Sequence, residues 1–160
     1  MTISFHHQYF CKCKKSKFST HIQKLEEIHE FEYAIYAPIL ERSGIPFTKA
    51  KMRMALDKPQ VILTHSIKGM LVATFRYTKE GEKAFVLSLL WKCKNNPIAF
   101  FKKITHQLEK DDIECLESVV QKSNLYSIRF HKKLGFEPIA EYDKAIRFTA
   151  NVDDLKFGRI

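Results

Sequence analysis

The stretch from residue 60 to residue 91 leaves the chain the least freedom. Gln60 to Ser66, Met70 to Thr78 and Lys83 to Trp91 are rich in Val, Ile, Leu, Phe and Thr, and the gaps between them hold turn pairs at Lys68-Gly69 and Glu80-Gly81. Such residues suit a pleated, half-buried surface, and glycine supplies the positive φ that a tight hairpin needs. Connections this short join antiparallel neighbours, because a parallel pair needs a crossover of about a dozen residues or more. The pattern predicts a three-stranded antiparallel meander.

Upstream, Ile3 to Lys12 alternates as a first strand with Tyr9, Cys11 and Cys13 on one face, and Lys14 to Lys17 ends it. Ser19 or Thr20 caps a helix with apolar Ile22, Leu25, Ile28 and Ile35, which Pro38 kinks or stops; Glu41 to Pro46 reads as a loop. Thr48 caps a shorter helix carrying Met52, Ala55 and Leu56, closed by Pro59. Downstream, Asn96 caps a helix with Pro97 at its first position and Ile98, Phe101, Thr105 and Leu108 along one face, ending at Asp111-Asp112.

Ile113 to Val120 then reads as a strand and Asn124 to Leu134 as a helix stopped by Gly135. Phe136 to Tyr142 and Lys144 to Ala150 form a closing hairpin around Asp143. The strand, helix and strand between 83 and 120 make a right-handed parallel crossover. The expected fold is therefore α/β (α+β), a mixed, mostly antiparallel central sheet with flanking helices in the order β-α-α-β-β-β-α-β-α-β-β. Without a repeat or a Pro/Gly/Ser-rich linker, residues 1–160 read as a single domain.

Composition excludes several classes. With 45% hydrophobic residues among 160, the chain can bury a core and is not intrinsically disordered. Its apolar runs fall well short of the roughly 20 residues that span a bilayer, and its start lacks an apolar signal core, so a soluble cytoplasmic protein without a membrane partner is expected. Four cysteines at this length read as free thiols. His7, Cys11 and Cys13 lack an evident fourth ligand, so no metal is expected. Cys93 and Cys115 have no basic partner that would make a nucleophile. The five glycines are too widely spaced for a P-loop or a dinucleotide fingerprint.

The net charge of +9 is local. Lys12, Lys14, Lys15 and Lys17 form one block; Lys92, Lys94, Lys102 and Lys103 a second; Lys122, Arg129, Lys132 and Lys133 a third. Together they exceed the whole net charge, so the rest of the chain is net negative. Such local excess points to an anionic ligand, although Lys-rich helix faces are also often simply solvated.

The segment Asn124-Leu-Tyr-Ser-Ile-Arg-Phe-His-Lys-Lys-Leu-Gly135-Phe136, at the end of this element order, resembles the GNAT superfamily of acyl-CoA-dependent N-acyltransferases. The family pattern there is N-x-x-A-x-x-x-Y-x-x-x-G-F. Asn124, Gly135 and Phe136 match it, Ser127 replaces the small residue, and His131 takes the place of the tyrosine that is often the catalytic acid. The family's pyrophosphate loop, R or Q-x-x-G-x-G or A, aligns with Lys94-Asn-Asn-Pro97-Ile-Ala99. Pro97 replaces a glycine and removes a backbone donor.

The resemblance implies an acetyl-CoA, or other short acyl-CoA, co-substrate. It would be held by Ser88, Leu89 and Leu90 on the fourth strand, by Lys94, Asn95, Asn96, Ile98, Ala99 and Phe100 at the pyrophosphate loop and helix start, and by Asn124 and Phe130. A helix N-terminus with outward N–H groups favours a phosphate even without the lost donor. Two of the basic blocks flank that point.

Acyl transfer needs donors aimed at the thioester oxygen, an exit for the amine proton and a proton for the departing thiolate. His131 shares a helix face with Ser127, Phe130 and Leu134, so it points inward and is the candidate acid; a packed histidine bonded to a backbone carbonyl is the structural alternative. Glu117 is the candidate base, with Glu114 and His106 behind it and a solvent salt bridge as its alternative. Ordered water can also relay the proton. The expected function is an N-acetyltransferase in which the amine of a small-molecule or protein acceptor attacks the thioester directly. The alternative is an inactive module of the same fold that binds acyl-CoA, or nucleic acid through its basic blocks.

Overall fold

In a computed structural model, residues 2–5, 15–45, 47–92 and 97–157 are described, with side chains from residue 24 onward. Among the described residues, seven strands form one sheet. The first, β1 (Thr2–Phe5), lies antiparallel to β2 (Gln60–Ile67), which continues through β3 (Met70–Glu80) and β4 (Lys83–Trp91) as the expected meander. Lys68 and Gly69 both hold positive φ, 51° and 79°, as a two-residue hairpin turn requires. Next come β5 (Cys115–Gln121), parallel to β4, and the antiparallel pair β6 (Glu137–Glu141) and β7 (Ala145–Asn151), giving the spatial order β1-β2-β3-β4-β5-β7-β6. The predicted mixed, mostly antiparallel sheet is the one observed.

Among the described residues, four α-helices accompany the sheet: α1 (Lys15–Arg42), α2 (Lys49–Leu56), α3 (Ile98–Lys110) and α4 (Leu125–Leu134). The main core joins one sheet face, including Leu63, Phe75, Tyr77, Leu116 and Phe148, to Phe100, Ile104 and Leu108 of α3 and Leu134 of α4. A smaller core joins Ile62 of β2 to Ile28 of α1 and Met52 and Leu56 of α2. No described helix is long and apolar enough to cross a membrane.

Several boundaries differ from the sequence reading. The described part of the first strand is Thr2–Phe5, and Tyr9, Cys11 and Cys13 lie outside the described residues, as do His7, Cys93 and three expected cofactor ligands, Lys94, Asn95 and Asn96. Helix α1 starts at Lys15, before either expected cap, and passes through Pro38 to Arg42. A proline removes one helical hydrogen bond, and burial of Ala37 before it and partial burial of Ile39 and Leu40 after it hold the helix together. On α3 the buried stripe is Phe100, Phe101, Ile104, Gln107 and Leu108, whereas Ile98 is exposed and Thr105 only half-buried. Turning both phenylalanines inward sets that rotation. Pro97 precedes the helix, its carbonyl accepting from the Phe101 N–H at 3.0 Å.

Helix α4 ends as its sequence dictates. Asn124 accepts from the Ser127 N–H at 3.1 Å, and Gly135, at φ 101°, lets the Phe136 N–H return to the His131 carbonyl at 2.9 Å. A Cβ on Gly135 would also lie 3.0 Å from the Asp154 carbonyl oxygen, in the turn that follows β7. Gly135→Ala therefore meets backbone strain and a backbone contact together, and urea denaturation should show a loss of about 1–3 kcal/mol.

Candidate active site

Among the described residues, the only parallel pairing in the sheet is short. β4 and β5 are in register from Lys83↔Cys115 to Val86↔Ser118, and beyond that point neither strand pairs with the other. The cause lies in β4: Tyr77 faces Val86 and Arg76 faces Ser88, so Leu87 is an extra residue on β4. A bulge there bends β4 and ends its pairing with β5. The strands diverge into a cleft beneath α1 and α2 on one side and α4 on the other.

A cavity of about 270 Å³ occupies this cleft. Leu87, Ser88 and Leu89 contribute from β4, Ser118 to Gln121 from β5, and Asn124, Ser127 and His131 from the region of α4. The cavity brings together Ser88, Leu89, Asn124 and His131 from distant stretches of chain. Leu90 is half-buried but outside the lining. Phe130 also lies outside it, stacked on Tyr126 with ring centres 6.3 Å apart. Ile98 and Ala99 sit exposed at the start of α3, whereas the Phe100 ring is buried against Trp91 and His65, leaving only its backbone for a ligand.

His131 is 8% exposed, wedged between Phe136 and Phe148 at centroid distances of 5.0 and 5.4 Å. Its Nδ1 lies 2.7 Å from the Ser127 carbonyl. A carbonyl only accepts, so Nδ1 carries the proton and Nε2 keeps its lone pair. Burial pushes the imidazole pKa below 6.5, against a smaller opposing effect of the Ser127 bond, and the ring is neutral at pH 7. A neutral ring takes a proton before it can give one, so protonating a thiolate from here first requires a proton from elsewhere in the reaction.

Glu117 does not face the cavity. It alternates with Leu116 and Ser118, and its carboxylate pairs with Arg147 and lies 3.7 Å from Lys83 Nζ. Those cations, Arg147 foremost, hold its pKa below the ordinary carboxylate value. It is ionised and engaged, a structural ion pair in place of the expected base. Glu114 and His106 are exposed away from the lining. In the second basic block, Lys103 donates to the Thr64 carbonyl at 2.9 Å.

The sequence reading missed the polar wall under α1. Glu32 is fully buried; its Oε1 accepts from Thr74 at 2.8 Å and from Arg76 Nε at 3.0 Å, while Arg76 Nη2 lies 2.8 Å from Oε2. Arg76 Nη1 also donates to Gln60 at 2.7 Å. Beside this pair Tyr36 donates to Ser88 Oγ at 3.1 Å, and burial, reinforced by Glu32, pushes its phenol up to about 12. Glu32 falls on the stripe of Leu25, Ile28 and Tyr36, and Arg76 interrupts the apolar run of β3, so two opposite charges in two buried stripes were the available signal. Ser118, 3% exposed, has an Oγ with no hydrogen-bond partner, which no sequence pattern announces.

No protein-family model and no curated protein matches the sequence. Solved structures do match. The PaiA N-acetyltransferase of Thermoplasma acidophilum, solved with coenzyme A, aligns with a TM-score of 0.61 at 17% identity over 81% of this chain and 94% of its own. An acetyltransferase of Thermus thermophilus gives 0.60 at 13% identity, over 81% and 91%. The Campylobacter jejuni N-acetyltransferase PseH, solved with acetyl coenzyme A, gives 0.55 at 14%, over 81% and 90%. The chain has the fold of the GNAT acetyltransferases.

Proposed function

We propose that the protein is an acyl-CoA-dependent N-acetyltransferase in which an amine attacks the thioester of acetyl-CoA directly. The observation that carries this reading is the divergence of β4 and β5 at the Leu87 bulge, beside a buried neutral histidine. Past Val86 the edge of β4 that faces β5 offers backbone groups to an extended, amide-bearing ligand, much as a sheet edge accepts an added strand. The N–H of Leu89, which points away from β3, is the candidate to receive the thioester oxygen as it becomes negative, whereas that of Leu90 points into the β3–β4 ladder. His131 Nε2 accepts the amine proton, and the resulting imidazolium returns it to the departing sulfur.

Phosphate binding falls to the region where α3 begins. The first-turn N–H groups of a helix have no carbonyl partner within it, and the dipole favours an anion there even with Pro97 ahead. Lys102 on α3 and Arg129, Lys132 and Lys133 on α4 are exposed and positive. Lys94, Asn95 and Asn96 complete the set proposed to hold the cofactor. The neighbouring acetyltransferases solved with coenzyme A or acetyl-CoA support this choice of co-substrate.

Thermal unfolding tests the reading. Acetyl-CoA or CoA at about 100 times its Kd stabilises the folded state by about 2.7 kcal/mol and should raise the midpoint by several degrees in a domain of this size. ATP at equal concentration should give a smaller rise. No shift with the CoA ligands, or an equal one with ATP, overturns the reading. Salt-sensitive binding to nucleic acid in its place would favour the binding module.

A further inference from the structure

Resting on the acyltransferase reading, we infer that the acceptor is a small monoamine on an uncharged, apolar body. The wall of the cavity under α1 and α2 is built from Ile39, Leu40, Phe47, Met52 and Ala55. Among the described residues, no aspartate or glutamate lines the cavity, and its single charged lining residue is Arg76. The Arg76 guanidinium is taken up by Glu32 and Gln60, so the pair presents no net charge to a ligand. Tyr36 is a protonated phenol already bonded to Ser88, and His131 is a neutral ring.

This wall discriminates by charge. An attacking amine must shed its proton to react, and burial in apolar surroundings favours the neutral form, so the absence of a carboxylate there helps the reacting nitrogen. A second ammonium or a carboxylate elsewhere on the acceptor loses its hydration and gains no partner, which disfavours its binding strongly. Hydroxyl-rich bodies fare little better, because the apolar wall offers few groups to replace their water. Gln121 Oε1 and Ser118 Oγ are the exceptions, both buried without a partner in the cavity lining, and the Ser118 hydroxyl sits at the point where β4 and β5 part. That hydroxyl can bond the one polar atom that every such acceptor brings, the amine nitrogen. The cavity of about 270 Å³ lies just below the range of ligand pockets, roughly 300–1,000 Å³, and would also admit the thioester arm, which limits the acceptor's size.

The test is thiol release from acetyl-CoA with 2-phenylethylamine, spermidine and glucosamine as acceptors, with acetyl-CoA affinity measured separately by calorimetry. Wild type should use 2-phenylethylamine at a kcat/KM at least tenfold above the other two. Ala55→Glu, which places a carboxylate in the wall on a helix, should narrow or reverse the preference over spermidine by at least tenfold and leave the acetyl-CoA Kd within twofold. Ala55→Gln, similar in shape and uncharged, should keep the wild-type preference. A protein that binds acetyl-CoA yet prefers spermidine or glucosamine, or acetylates none of the three, overturns the inference and leaves the parent reading standing. Failure to bind acetyl-CoA overturns both. Should Ala55→Glu not fold, the wild-type ranking alone decides.

Discussion

Glu32→Ala should cost the protein about 3–5 kcal/mol of folding stability, the range for removing one partner of a buried ion pair. The loss comes chiefly from what is left behind. Arg76 would keep its charge inside the protein, and Thr74 Oγ1 would lose its acceptor. Domains have about 5–15 kcal/mol of stability in total, so the variant should unfold at a much lower urea concentration. Glu32→Leu combined with Arg76→Leu should recover most of the loss, because an apolar pair carries no desolvated charge. A double-mutant cycle in urea separates the pairing energy from the cost of the orphaned guanidinium. A single-variant loss below about 1 kcal/mol, the scale of an exposed pair, would show that solvent reaches the two charges and that they do not anchor α1 to β3.

That pair also marks where sequence reasoning reached its limit. The meander was legible because strand propensity, short gaps and glycines at positive φ all agree between residues 60 and 91. Helix α4 was legible for the same reason: Asn124 caps it, Gly135 stops it, and its apolar face points His131 inward. Glu32, by contrast, reads as a surface acid until a guanidinium on another element is known to lie opposite, and their sequence separation hides that contact. Pro38 misled because a helix packed against a sheet can tolerate one missing hydrogen bond, which local rules cannot weigh. Glu117 was legible as a carboxylate on β5, but its partner Arg147 sits on β7, and pairing across strands decides whether such a group is a base or half of an ion pair. The bulge at Leu87 is a register effect between β3 and β4 that leaves no mark in composition, yet it opens the cleft in which Ser88, Leu89 and His131 meet.

His131→Ala should lower kcat/KM by about a hundredfold to ten-thousandfold, the usual contribution of a positioned acid–base group. The acetyl-CoA Kd should change little, since His131 is proposed to handle the proton and not the cofactor. Removing a buried ring also leaves a hole between Phe136 and Phe148, so His131→Asn is the sharper variant. An asparagine amide can still donate to the Ser127 carbonyl but has no basic nitrogen, and it should be as slow as alanine while losing less stability. The pH profile separates proton transfer from packing. In wild type the working form is the neutral ring, so kcat/KM should fall as acid protonates Nε2, with the acid limb centred below 6.5 because burial disfavours the imidazolium. Above that pKa the rate should no longer depend on His131 ionisation. In His131→Asn that limb should vanish while the residual rate persists. A variant within tenfold of wild type, or one that keeps the same acid limb, would assign the proton transfer to water or to another group and leave His131 a packing residue held by Ser127.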